Sequence, residues 1–516
     1  MKRYRAIALL WLCFLARGFY YAAVTPLWEG YDEYSHYAYL DYLLHKGNLP
    51  IPGVSRNSLE VEASLRAYPL PWTQQQLRPG VISYDRWWSL TPSERAQRLA
   101  ALPAPHTEDP SGDPIYEAQQ PPLYYWSMAP VLAVSERFGL TLEKRVHLVR
   151  YASVLLCSLA LPIGWMLVAL VLKSEAMAIG AVAVAVAMPE FLIDIARIGN
   201  ESMAVVAGTA LAYACVRITG GTRGWKLAIF LGAALAAALL SKVYFLSAIP
   251  AVLAIVVLAR NWRAAAALPI AAVLAGWWYW FAWRATGDPT AMIQSVALRH
   301  VTMAEKLRVA LHLNWVRGID VALFSHLWFG GWSFLQVKSW MYHVFYLIFA
   351  AGLVGLVLAA VRGRARPLAV PALLEASLCA GLAYHVVLGQ IGYGVPITSG
   401  WYLYCMVFAE VALLAAGWNE IAGWRLAAPA IAALFALLDI YGLTILQIPY
   451  YTGLTHHLSS GRLTGLQLSQ MPELAGRLGI GWLAYLAATL GTVAVAIPRP
   501  TKAPLGASDY QTGTIS

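Results

Sequence analysis

Residues 2–36 read KRYRAIALLWLCFLARGFYYAAVTPLWEGYDEYSH, a basic start, an apolar run over 6–26, and then an acidic cluster. A membrane-spanning helix needs roughly 20 apolar residues, and this run supplies them. It is longer than the apolar region of a signal peptide, and no small-residue cleavage site precedes the acidic cluster. The expectation is an uncleaved first transmembrane helix with a cytoplasmic N-terminus. Glu29, Asp32, Glu33 and His36 follow where that helix ends. Ionisable groups at a membrane boundary are costly, so their default reading is functional. If the loop opens as a helix, the four stand at i, i+3, i+4 and i+7 on one face. A carboxylate held there by a cation can act as a general base on a hydroxyl. The plainer alternative is a solvated helix N-terminus with an acidic bias.

The rest of the chain fits that reading. Of 516 residues, 59% are hydrophobic and 12% charged, and the mean hydropathy is +0.57. Soluble domains carry about 25% charge, so the composition defines an all-α polytopic membrane protein. The net charge of +10 arises from short basic clusters between apolar runs, which is a topology signal and no nucleic-acid footprint. The five cysteines lie singly in apolar segments and read as packing residues.

Apolar runs at 6–26, 146–172, 176–193, 201–217, 225–241, 243–260, 265–284, 341–361, 368–390, 401–418, 426–446 and 479–497 predict about twelve spans. Lys173, Arg217, Arg260, Arg362, Arg425 and Arg499 then share the side of the N-terminus, which puts both termini in the cytoplasm. One transmembrane domain is expected over 1–500, in the cytoplasmic membrane, with a disordered cytoplasmic tail over 501–516. Loops 27–145, 285–340 and 447–478 face outward. The first is the largest and is expected to carry interfacial helices. Its segment from Pro121 to Val134 reads as an interfacial or re-entrant helix with Tyr and Trp at headgroup depth, and Ala304–Trp315 as another interface-lying helix.

Three further groups could carry chemistry. Tyr116–Tyr125 (YEAQQPPLYY) sets Glu117, Gln119, Gln120 and Tyr124 beside two prolines, a surface of amides and aromatic rings suited to a sugar. Its bland reading is a Pro-initiated interfacial helix. Arg197–Ser202 (RIGNES) brings Arg197, Asn200 and Glu201 to an outer turn, with Lys242 at another and Arg284 ending the seventh span. Outer cations suit phosphate oxygens, and each could equally snorkel to lipid headgroups. Histidines 300, 312, 326, 343, 456 and 457 map to the outer side without metal-ligand spacing, so no metal site is assigned.

With these motifs in place, the chain resembles the GT-C glycosyltransferases. These polyprenyl-phosphate-sugar-dependent membrane enzymes include protein O-mannosyltransferases and the aminoarabinose transferases of lipid A. The likeness is closest to bacterial family-39-like and Rgt-type members. The family's D-E-x-x-H motif after the first helix is matched by Asp32-Glu33-Tyr34-Ser35-His36. Its H-Q-P-P-L-Y-Y-like motif is matched by Gln119–Tyr125, with Gln119 where His is common, and its N-D/E turn by Asn200-Glu201. The chain departs from the family's G-R-Y-x-x-P signature, having Gly400-Trp401-Tyr402-Leu403-Tyr404.

The resemblance implies an inverting transfer at the outer face, from a polyprenyl-phosphate sugar to a lipid, glycan or protein acceptor of the cell envelope. Asp32, or else Glu33, takes the acceptor proton. His36, Glu117, Gln119, Gln120, Tyr124, Asn200 and Glu201 contact substrate. Arg197, Lys242 and Arg284 hold the donor phosphate. No cofactor is required, no nucleotide motif is present, and a divalent ion has no ligand spacing to support it. The competing classes are a transporter or flippase of lipid-linked sugars, and an inactive scaffold of the same fold. Transporters concentrate polar groups in broken midplane helices, whereas here ionisable residues crowd the outer ends, which favours the enzyme.

Overall fold

The computed structural model describes residues 2–71, 80–103, 112–458 and 462–497, so the tail expected over 501–516 lies outside them. The described chain is all-α, with only isolated β-bridges besides. Eight helices are long and apolar enough to cross a membrane. They are α1 (Lys2–Val24), α4 (Leu142–Leu172), α7 (Glu201–Thr219), α10 (Ala264–Thr286), α13 (Ser339–Val361), α14 (Arg366–Tyr393), α15 (Gly400–Ile421) and α16 (Trp424–Tyr451). Two bent pairs bring the number to ten if each counts as one span. In one, α5 (Glu175–Ala187) meets α6 (Pro189–Ile195) at 65°; in the other, α17 (Leu468–Leu478) meets α18 (Gly481–Ala496) at 94°. Length and hydropathy thus make this a multi-pass membrane protein.

The two remaining predicted spans form α8 (Trp225–Ser241) and α9 (Val243–Leu258), which are apolar but short. The chain breaks between them because Lys242 is extended, at φ −149° and ψ 139°. The α5–α6 bend also has a definite cause. Pro189 has no N–H to donate and interrupts the ladder. Buried Arg17 on α1 donates to the freed carbonyls of Val186 and Ala187 and to Asp439 Oδ2 at 2.6 Å. Non-helical backbone inside a bilayer is tolerated only with such partners.

The segment between α1 and α4 is a packed cap with its own core, in which Trp28, Tyr37, Leu40, Val61, Tyr124 and Tyr125 are buried. It contains α2 (Glu33–Lys46) and α3 (Leu123–Arg137). α3 is too short to span. Tyr124 and Tyr125 on it are fully buried, contrary to the headgroup depth expected of them. Both hydroxyls find protein partners, which makes burial cheaper than interfacial exposure. Trp126 alone faces outward, stacked on Trp277 at 5.5 Å. The predicted 304–315 helix is present as α11 (Met303–His312), followed by α12 (Trp315–Leu327).

Small residues let α13 and α15 touch backbone to backbone. A Cβ at Gly355 would lie 1.9 Å from Gly417 O, and one at Gly417 would lie 2.0 Å from Gly352 O. Such contacts are how membrane helices gain packing without a hydrophobic driving force. Gly355→Val should force the pair apart and cost at least about 1–3 kcal/mol. A lowered unfolding temperature in detergent, with Ala360→Val at an exposed position as the control, checks this.

Candidate functional site

The turn from α1 into α2 is folded tightly by two non-glycine residues in the left-handed region, Trp28 at φ 65° and Asp32 at φ 53°. Each costs roughly 1–2 kcal/mol, so surrounding structure must hold them. Gly30 between them has no room for a side chain, since a Cβ there would sit 2.8 Å from Arg197 Cβ. The helix begins at Glu33, with Asp32 as its N-cap. The single face predicted for Glu29, Asp32, Glu33 and His36 is therefore not formed, because the turn sends the four side chains to different partners.

Glu29 accepts from Ser333 N at 2.8 Å, Ser333 Oγ at 3.1 Å and the Tyr451 hydroxyl at 3.0 Å. It anchors a distant loop. Glu33 is fully buried and receives a two-pronged contact from Arg150, Nε to Oε1 at 2.7 Å and Nη2 to Oε2 at 2.5 Å. It also accepts from Ile198 N at 3.0 Å. His36 Nδ1 lies 2.7 Å from the Tyr125 hydroxyl, and burial holds the imidazole neutral by pushing its pKa down to about 3. Asp32 differs from all three. It is partly exposed, and among the described residues its carboxylate has no hydrogen-bond partner. Burial pushes its pKa up to about 6, against the pull of Arg197 and Lys242 and with the push of Glu201.

Arg197, Glu201 and Lys242 form one chain of charge beside Asp32. Arg197 Nη1 donates to Tyr31 O at 2.6 Å, and its Nη2 lies 2.7 Å from Asp194 Oδ1 and 3.0 Å from Glu201 Oε2. Glu201 Oε1 pairs with Lys242 Nζ. Lys242 also sits over the Tyr402 ring at 4.9 Å and the Tyr244 ring at 5.5 Å. Asn200 donates to Gln120 Oε1 at 3.0 Å and Ser241 O at 2.8 Å. The Tyr124 hydroxyl pairs with Ser153 at 2.7 Å and accepts from Gly199 N at 3.2 Å. Gln119 accepts from Ile293 N at 2.9 Å. Glu117 is buried beside Asp32. Its Oε2 has no partner, and burial plus the Asp32 charge push its pKa up to about 8.

The predicted residues of three separate segments therefore meet, with one exception. Arg284 is exposed at the end of α10, 6.0 Å from the Trp280 ring, and does not line the cavity. That cavity, of about 240 Å³, opens beside Lys242. Gln120, Lys242, Tyr402 and His385 line it with polar groups, and Leu246 and Leu388 line it with apolar ones. Where the resembling family has Arg, Trp401 stacks on Tyr31 at 4.2 Å.

One compact group of potential ligands exists among the described residues, Asp41, His45 and Glu136, away from Asp32. There the hydrogen bond that His45 donates to Asp41 raises the imidazole pKa to about 9. Sequence reasoning missed Arg150, the partner of Glu33. Its signal was a lone arginine inside the apolar run 146–172. No protein-family model matches the sequence, and no curated protein matches it.

Arg150 also donates to the carbonyls of Ala22, Thr25 and Pro26, closing the end of α1. Arg150→Leu leaves a buried carboxylate unpaired and should cost about 3–5 kcal/mol. Adding Glu33→Gln should recover part of the loss, and a double-mutant cycle on thermal unfolding measures how much.

Proposed function

We propose that this protein is a GT-C-type membrane glycosyltransferase. It would move a sugar from a polyprenyl-phosphate donor to an envelope acceptor at the outer face. In this reading the chain crosses the bilayer twelve times with cytoplasmic termini, the short α8 and α9 and the two bent pairs counting as spans. One observation carries the proposal. A partly exposed carboxylate with no hydrogen-bond partner among the described residues stands beside a lysine that lines a cavity with both polar and apolar walls. That combination suits a substrate with a charged head and a lipid tail.

Asp32 is the base. Glu33 is a positioning residue, since its oxygens are already occupied by Arg150 and Ile198. The acceptor O–H proton passes to Asp32 while the acceptor oxygen bonds to the anomeric carbon. The bond from that carbon to the phosphate oxygen breaks, and polyprenyl phosphate leaves with the electron pair. Lys242 stabilises the developing charge on the phosphate. Arg197 is engaged by Tyr31, Asp194 and Glu201 while its buried Nε has no partner among the described residues, so its main part is to order the site beside the donor. Arg284 is too far out to help. Glu117 is neutral near pH 7 and can donate a hydrogen bond beside the base, the arrangement in which two carboxyl groups take different roles.

Transfer from a radiolabelled polyprenyl-phosphate sugar in proteoliposomes tests the reading. Asp32→Asn should lose about 10²–10⁴-fold in rate, and Lys242→Met should raise the donor KM with a smaller loss in kcat. Full activity in Asp32→Asn removes the site, and transbilayer movement of intact donor without transfer replaces the enzyme with a flippase.

The pH profile gives a separate check. Rate should rise as pH passes about 6, where Asp32 loses its proton, and fall above about 8, where Glu117 ionises beside it. Glu117→Gln should abolish the alkaline limb and keep the acid one.

A further inference from the structure

The helix α11 presents a stripe that nothing described in the chain covers. Met303, Leu307 and Leu311, at i, i+4 and i+8, are 63%, 59% and 83% exposed. Val316 and Ile319 extend the apolar surface onto α12. The helix is well formed despite this, because Thr302 and Glu305 make a reciprocal capping box at its start. Beside the stripe stand Lys306, Arg308 and His312, while Glu305, its one acidic residue, is used by the cap.

Depth is fixed by a contact with α14. Lys306 Nζ donates to the Tyr384 hydroxyl at 3.1 Å and lies 5.5 Å from that ring. Tyr384 is nine residues short of Tyr393, where α14 ends, or about 14 Å along the axis. With Arg362, Arg364 and Arg366 at the cytoplasmic end, Tyr393 marks the outer end. α11 therefore packs against the outer half of a span. Tyr384 also lines the cavity next to Lys242, and it is 43% exposed on the other side.

We propose that α11 lies in the outer leaflet and forms the lipid-facing lip of the cavity. Its Met303–Leu307–Leu311 stripe sits among acyl chains, and Lys306 and Arg308 meet lipid phosphates. The occupant is the bilayer itself. The Lys306–Tyr384 contact sets the stripe beside a membrane-spanning helix, and its flanking charges complement anionic headgroups. The inference rests on the membrane topology read above and makes no use of sugar transfer.

The test uses the full chain in phosphatidylcholine nanodiscs containing phosphatidylglycerol. Exposed Cys379 is first replaced by Ser, the other four cysteines being buried. Nitroxides at Leu307 and Leu311 should collide with oxygen several-fold more than with a water-soluble nickel complex. Labels at Arg308 and His312 should show the reverse order. Nickel-accessible labels at all four positions, or labels shielded from both reagents, would overturn the placement. Benzoylphenylalanine in place of Tyr384 should then crosslink to phospholipid, and Lys306→Glu should lower the yield several-fold when phosphatidylglycerol is present. A lipid-free Tyr384 probe would overturn the lip. Neither readout involves a sugar, so failure here leaves the transferase reading standing, and failure of transfer leaves this one.

Discussion

Glu33 and Arg150 are both completely buried, one at the start of the outer cap and the other inside a membrane-spanning helix. Each would be very costly alone at that depth, so the cap cannot leave the membrane domain without exposing two unpaired charges. Arg150 spends its remaining donors on the carbonyls of Ala22, Thr25 and Pro26, which are orphaned where α1 ends. Glu33 spends its remaining acceptor capacity on Ile198 N, which ties in the Arg197–Glu201 turn. One ion pair thus joins the first helix, the cap and two further spans. The left-handed turn at Asp32 is held open between these fixed points.

That constraint explains how neighbouring carboxylates come to differ so much. Glu33 is bound by two-pronged charge-assisted contacts and is unavailable for proton transfer. Asp32, one residue earlier, is the left-handed N-cap of the helix, and its side chain makes no capping hydrogen bond. It is left with long-range fields from Arg197, Lys242 and Glu201 but no direct partner. Strained backbone at a residue with a free titratable group is a recurring feature of functional sites.

Composition and the length of apolar runs made the membrane class legible, because a bilayer leaves few alternatives to helices. The gathering of 29–36, 116–125 and 197–201 into one site was implied by the resemblance of their motifs. The side-chain assignments within the cluster were not. Helical periodicity placed Glu29 with Asp32, but two left-handed residues broke the period, and single-sequence patterns do not register φ. Tyr124 and Tyr125 read as interfacial anchors because their hydroxyl partners, on Ser153 and His36, come from segments far away or on the other side of the cap. Arg284 passed as a site residue on its position at a helix end, which fixes depth but not direction.

The cations of the cluster are balanced by carboxylates in unequal fashion. Arg197 meets Asp194, Glu201 and a backbone oxygen through its two terminal nitrogens, and only its buried Nε is without a partner among the described residues. Lys242 shares only one oxygen of Glu201, and its other contacts are the rings of Tyr244 and Tyr402. Rings attract a cation weakly compared with a phosphate oxygen. A phosphorylated ligand entering the cavity can therefore take Lys242 from the rings without breaking an ion pair. Glu201 then remains shared between both cations and keeps Arg197 and Lys242 at fixed separation. In the proposed reaction Lys242 meets the donor phosphate at the cavity while Asp32 stays free to take the acceptor proton.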